Sequence, residues 1–256
     1  MSSHSLEGKV AVITGGTQGI GLAIAKAFVG NGATVVVTGR DQGRLDKAVA
    51  QIGPNASGVR ADAGSPAAMD AMLKDVRSRH GRLDAVVANA AIADDHAPLG
   101  KITEEQFDRM IGTNLKGVLF AVQSAVPLMS SGGSIILIGS TASVAPPAGM
   151  SIYGAIKAAF HGMVRALIQD VKGTGVRINV LSPGAIDTPS LRKALGTAAG
   201  ADRVDGLVQS MAQRSPIGRI GEAREIGQVA VFLASDAASY VNGVELFADG
   251  GLTQVT

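Results

Sequence analysis

Residues 9–14 (KVAVIT) run directly into a glycine-rich turn, Thr14-Gly15-Gly16-Thr17-Gln18-Gly19-Ile20-Gly21, and that turn opens an amphipathic stretch. An apolar strand, a tight turn and a helix in this order constrain the fold more than any bulk property of the chain. Ile20, Ile24, Ala27 and Phe28 share one helical face, and Gly30-Asn31-Gly32 stops the helix. The unit then repeats. Strands are expected at 34–38, 57–61, 84–88, 133–139, 176–181 and 243–248. Helices are expected at 41–52, from Ser65-Pro66 to Arg79, at 151–172 and at 222–234. The capping box Thr103-Glu104-Glu105-Gln106 opens one long helix reaching Met129.

Strands alternating with helices imply parallel βαβ units with right-handed crossovers. Strands that are apolar along their whole length fit a sheet covered on both faces. No linker or shift in composition marks a boundary, so residues 1–256 read as one domain. The expected fold is α/β, a Rossmann-like doubly wound parallel sheet of seven strands with helices on both faces. A TIM barrel is the competing α/β fold, and seven strands behind a glycine-rich first turn disfavour it.

The residues are 46% hydrophobic and 17% charged, which excludes disorder as a description of the whole chain. Basic and acidic residues number 23 and 21, with no run of five Lys or Arg, so neither a nucleic acid nor a membrane surface is an expected partner. The absence of Cys removes disulfides, thiolate nucleophiles and Cys-based metal sites together. His4, His80, His96 and His161 show no metal-ligand spacing, and no metal is expected. No apolar run reaches the roughly 18 residues that span a bilayer. The polar start MSSHSLEGKV lacks the apolar core of a signal peptide, and a cytoplasmic protein is expected.

The first turn has the strand–turn–helix context that a dinucleotide-binding turn needs. Glycines let backbone approach a pyrophosphate, and the helix N-terminus turns N–H groups and a positive dipole end toward that anion. An ordinary βα turn is the alternative. The spacing T-G-x-x-x-G-x-G resembles that of the short-chain dehydrogenases/reductases, and the resemblance runs from Gly8 to Gly251. It implies that Gly15, Thr17, Gln18, Gly19, Ile20 and Gly21 hold the cofactor. It further implies that Asp62 and Ala63 meet the adenine, and that Asn89-Ala90-Ala91 stands for the family's N-A-G segment. Asn89 would brace the central strands as much as touch ligand. Pro183, Gly184, Ile186 and Thr188 resemble the segment that holds the carboxamide end of nicotinamide.

Cofactor choice is read where the second strand ends, at Thr38-Gly39-Arg40-Asp41. NAD binders carry an acid about 20 residues after the glycine turn. Gly39 stands in that place and Arg40 follows. A guanidinium there pairs with a 2′-phosphate, which favours NADP(H) and leaves NAD(H) as the lesser option. Alternatively, Arg40 is a solvated charge or pairs with Asp41. Gln18 stands where many NADP(H) members carry a second basic residue.

Tyr153 and Lys157 are four residues apart, on one face of a helix. A free tyrosine ionises near pH 10, and a neighbouring ammonium lowers that value toward a useful range. By itself this pair is also what an ordinary helix surface shows. Ser140 lies thirteen residues before Tyr153, and Asn114 sits within Gly112-Thr113-Asn114-Leu115-Lys116-Gly117. The four match the family's Asn-Ser-Tyr-Lys set in order and spacing. The resemblance implies that Tyr153 moves the proton, Ser140 steadies the substrate oxygen, and Lys157 lowers the Tyr153 pKa and holds the nicotinamide ribose. Asn114 would position a water linking Lys157 to solvent, or simply bond backbone. Ser143 is a local rival to Ser140.

Residues 94–98, 144–150 and 188–215 are expected around the substrate, the last as a lid or as a surface helix pair. The substrate is expected to be a small carbonyl or alcohol compound. A 3-oxoacyl thioester reductase, a sugar 1-dehydrogenase and a non-catalytic cofactor-binding scaffold are the alternatives. An acidic carrier would need a basic patch, for which Arg192, Lys193, Arg203 and Arg214 are scattered candidates. A homotetramer is expected, with the apolar helix face at 118–122 as its only support in the sequence.

Overall fold

The computed structural model describes residues 5–92 and 97–255. Strand β1 (Val10–Ile13) is buried along its whole length and leads through the glycine turn into helix α1 (Gly19–Val29). The alternation continues through β2 (Thr34–Gly39), α2 (Gln42–Ile52), β3 (Ala56–Arg60), α3 (Pro66–His80) and β4 (Ala85–Ala88). After α4 (Glu104–Ile111) and α5 (Gly117–Ala125) come β5 (Ser134–Ile138), α6 (Ser151–Asp170) and β6 (Arg177–Pro183). A short β7 (Ile186–Asp187) precedes α7 (Pro189–Ala199) and α8 (Val204–Arg214). Then β8 (Gly221–Glu222), α9 (Ala223–Ala234) and β9 (Glu245–Ala248) close the chain.

Seven strands form one sheet in the order β3-β2-β1-β4-β5-β6-β9, every neighbouring pair parallel. The order reverses between β1 and β4, and the crevice outside the strand ends at such a point is where ligands bind. Two apolar layers cover the sheet. Ile24, Phe28, Ile226 and Leu233 of α1 and α9 pack one face; Met69, Leu73, Val122 and Phe160 of α3, α5 and α6 pack the other. Gly227 lets α9 sit on α1, because a Cβ there would lie 2.9 Å from the Ala23 carbonyl oxygen. Ser65 and Thr103 cap α3 and α4 by accepting from Ala68 N–H and Gln106 N–H. β7 and β8 pair as a separate two-stranded ribbon that is not legible in the sequence.

The single helix expected from Thr103 to Met129 is broken into pieces. A π-helical turn, Gly112–Lys116, separates α4 from α5, and a 3-10 turn, Val126–Leu128, ends the run. A Cβ on Gly117 would overlap the Ala63 carbonyl oxygen, so glycine there lets the helix pass close against the loop after β3. Such π-bulges concentrate at functional sites. Within the face at 118–122, Val118 and Val122 are buried against the chain's own core, whereas Leu119 and Phe120 are only partly buried.

Gly117→Ala should therefore destabilise the protein by about 1–3 kcal/mol, the usual penalty for overpacking. Urea unfolding measures it. An unchanged midpoint would show that the Ala63 loop yields freely.

Candidate active site

A cleft of about 410 Å³ opens at the carboxyl ends of β1, β2, β4 and β5. Its floor is a stitched corner. Thr14 Oγ1 accepts from the N–H groups of Asn89 and Ala90, both at 3.0 Å. Asn89 Nδ2 donates to the carbonyls of Thr14 (2.9 Å) and Gly15 (3.1 Å). Asn89 thus braces the strands as the sequence suggested. Gly15 adopts φ +66°, and a Cβ there would lie 2.9 Å from Ala90 Cα.

At the start of α1 the N-cap Gln18 makes no side-chain cap, and the first turn holds no acidic residue. The unpaired N–H groups of a helix start need another acceptor. Thr38 Oγ1, also on the cleft, is buried with no hydrogen-bond partner. A cradle of glycines, an open helix start and an orphaned hydroxyl fit a bound nucleotide. Gln18 itself donates through Nε2 to Ser190 Oγ at 3.1 Å, which ties the turn to the first turn of α7.

Beyond the turn, the cleft is lined by Gly39, Arg40, Asp62, Ala63, Ala91, Ser140, Tyr153, Lys157, Pro183, Gly184 and Thr188. Asp41 accepts from Arg44 N–H at 2.8 Å and so caps α2. Arg40 is exposed, and among the described residues it makes no ion pair, with Asp41 or any other acid. Arg44, one helical turn on, lines the same cleft. Sequence reading missed Arg44; its signal is its place in the first turn of a helix capped by Asp41, next to the strand end that carries Arg40. Asp62 Oδ1 caps its own turn by accepting from Gly64 N–H at 2.9 Å.

Two expected residues stand elsewhere. Ile186 does not line the cleft; it pairs with Gly221 and is 6% exposed, its side chain packed in the core. It borders a separate cavity of about 550 Å³ beside β9, which no catalytic candidate reaches. Asn114 is fully buried in the π-turn, with Oδ1 accepting from Ile92 N–H and Nδ2 donating to Ile92 C=O, both at 2.8 Å. Its amide holds the backbone after β4, as the backbone-bonding alternative in the sequence has it. Residues 94–96 lie outside the described residues; Ala97 N–H donates to Gly149 C=O at 3.2 Å, which joins two of the segments expected around the substrate.

Ser140, Tyr153 and Lys157 come together. Ser140 lies two residues beyond β5 and caps a short 3-10 turn by accepting from Ala142 N–H at 3.1 Å. It also hydrogen-bonds the Tyr153 phenol. Ser143 points away and donates to Glu245 at 2.7 Å, so it is no rival. Lys157 is 3% exposed; its Nζ donates to Ile138 C=O at 2.6 Å and lies 5.5 Å from the Tyr153 ring centre. Burial pushes the Tyr153 pKa up, and the bond with Ser140 partly offsets this. The ammonium was expected to bring that pKa down, but burial dominates because it also lowers Lys157 itself, to about 7. Arg192 is bound by Asp187 (2.7 Å) and Asp205 (2.9 Å) and leaves the candidate basic patch. Among the described residues no group of three His, Asp or Glu is placed to hold a metal, and no helix is long and apolar enough to cross a membrane.

Residues 15–253 match a family model described as enoyl-(acyl carrier protein) reductase. An oxidoreductase of Sarocladium schorii, asL5, is 45% identical over 254 residues and 98% of both chains. The 3-oxoacyl-(acyl-carrier-protein) reductase of Salmonella typhimurium is 34% identical over 98% of this chain and 100% of its own. In three dimensions, a short-chain dehydrogenase/reductase from Brucella melitensis, titled glucose/ribitol dehydrogenase, superposes with TM-score 0.89 at 31% identity, covering 98% of each chain.

Burial of Lys157 ties stability to pH. Below pH 7 the amine is charged in both folded and unfolded chains, and the folded state bears the full desolvation cost. Between about 7 and 10.5 the unfolded chain binds the extra proton, so stability rises with pH and the cost fades. Lys157→Met should stabilise the protein at pH 6 by on the order of a few kcal/mol and by much less at pH 10. Urea unfolding of both proteins at the two pH values checks this, and an equal gain at both would refute it.

Proposed function

The chain belongs to the short-chain dehydrogenase/reductase family and is an NAD(P)-dependent oxidoreductase acting on carbonyl or hydroxyl groups; on that premise we propose that it moves a hydride between NADP(H) and a small carbonyl or alcohol substrate. The nucleotide choice rests on Arg40 and Arg44, which line the cleft together with Asp41, whose Oδ1 is engaged as the cap of α2. Two guanidinium groups suit a 2′-phosphate through charge-assisted hydrogen bonds. Gly39 adds a steric argument. A Cβ there would lie 2.6 Å from Thr17 Cγ2, so an acidic side chain that would bind ribose hydroxyls requires Thr17 to shift.

When bound, the reduced nicotinamide supplies the hydride. Tyr153 donates its phenolic proton to the substrate oxygen in reduction and accepts one in oxidation. Burial holds the phenol protonated and ready to donate. Ser140 hydrogen-bonds the same oxygen and stabilises charge as it develops. Lys157, anchored on Ile138, has further N–H donors for the nicotinamide ribose. Asn114 holds the Ile92 backbone at the rim of the cleft. Residues 188–215 act as the lid, latched through the Gln18–Ser190 bond. Family membership also supports a one-domain cytoplasmic homotetramer.

A 3-oxoacyl thioester reductase is the second reading, favoured by the Salmonella relative. The pairing of Arg192 with two acids weakens the case for an acidic carrier as partner.

With no Trp in the chain, nicotinamide fluorescence reads cofactor binding directly. NADPH should bind more tightly than NADH, and Arg40→Asp should weaken NADPH by about tenfold or more. Equal binding of both cofactors by the wild type would overturn the assignment. Gly39→Asp alone should bind NADH poorly, and Thr17→Ala added to it should improve NADH binding by relieving the contact. No improvement would show that Thr17 does not police position 39.

A further inference from the structure

Glu245 is a carboxylate on the edge strand β9 with only 8% of its side chain exposed, and the proposed chemistry makes no use of it. A buried charge is tolerated where hydrogen bonds satisfy it. Here Oε1 accepts two hydroxyls, Ser143 Oγ and Ser182 Oγ, each at 2.7 Å. These are short, charge-assisted bonds of the stronger kind. Oε2 faces His161 Nδ1 at 3.8 Å, on the helix that carries Tyr153 and Lys157.

The two serines stand at either side of Ser140. Ser143 closes the 3-10 turn that Ser140 begins, its N–H donating to Ser140 C=O at 2.9 Å. Ser182 is fully buried near the end of β6, directly before Pro183-Gly184. Its hydroxyl occupies the space a side chain on Gly139 would need, so it lies against the residue preceding Ser140. Gly139 N–H donates to Leu181 C=O at 2.8 Å, which secures the other end of the turn. One carboxylate oxygen therefore grips the turn bearing Ser140 and the strand leading to the cofactor segment.

We infer that Glu245 is a positioning residue, which sets the Ser140 hydroxyl against the Tyr153 phenol by clamping Ser143 to Ser182. The inference rests on the proposed roles of Ser140 and Tyr153. A group that acts through placement alone still changes rates, because a displacement of about 1 Å can cost up to a hundredfold.

The test uses the intact protein labelled with ¹³Cζ-tyrosine. The chain holds two tyrosines, and Tyr153→Phe assigns the signals. Ser140→Ala gives the Tyr153 resonance position without its hydroxyl partner. Glu245→Ala should move the Tyr153 resonance toward that position, and Ser143→Ala, a milder change, should move it the same way. Glu245→Gln keeps an acceptor oxygen and should restore the wild-type position, which a mere loss of stability would not do. In parallel, the kcat for reduction of ethyl acetoacetate should fall about tenfold or more in Glu245→Ala, with the NADPH dissociation constant within about twofold. A Tyr153 resonance that moves in Ser140→Ala but stays fixed in Glu245→Ala and Ser143→Ala overturns the inference alone. A resonance and kcat unmoved by Ser140→Ala overturn the functional reading and this inference with it.

Discussion

The corner where β1 and β4 end is the constraint on which the site depends. Two neighbouring parallel strands lead their chains away in opposite directions there, which leaves a crevice and a set of unpaired backbone groups. Thr14 and Asn89 satisfy those groups with four hydrogen bonds across the gap. With the corner tied, Gly15 can lie against Ala90, and α1 can point its open end into the crevice. The start of α7, the arginines and the Ser140 turn all line the cleft beside this fixed edge.

The second organising feature is a conflict between stability and chemistry. Lys157 is a cation placed where little water reaches it, anchored to the Ile138 carbonyl and near two aromatic rings. The carbonyl and the rings favour the ammonium, but burial outweighs them, and it raises the Tyr153 pKa as well. Neither effect favours folding or ready ionisation of the phenol. Functional sites commonly hold such destabilised groups, and the rest of the core offsets them.

Much of this was legible along the chain. The caps at Ser65 and Thr103, the glycine turn and the spacing of Tyr153 from Lys157 are local relations, set by helix and strand periods. The failures share one cause. Val118 and Val122 look like a free apolar face because the sequence does not say which helix covers them, and the chain's own core does. The π-turn lies where the helix passes the Ala63 carbonyl, some fifty residues earlier in the chain. Arg192 reads as a spare positive charge until α8 brings Asp205 beside it. Arg44 reads as ordinary helix surface until α2 is laid along the cleft.

Ser140 and Ser143 mark the dividing line. Three residues apart and chemically alike, they are rivals in the sequence, and the fold separates them by what each meets: the Tyr153 phenol for one, the Glu245 carboxylate for the other. The sequence by itself determined the alternation of strands and helices, the glycine turn and the spacing of Tyr153 from Lys157, because period and spacing act within a few turns of chain. Only the tertiary structure decided which side chains are buried together, since that depends on strand order and helix crossing. The pKa values of Tyr153 and Lys157, the release of Arg40 from Asp41 and the grip of Glu245 on two distant serines are consequences of that packing.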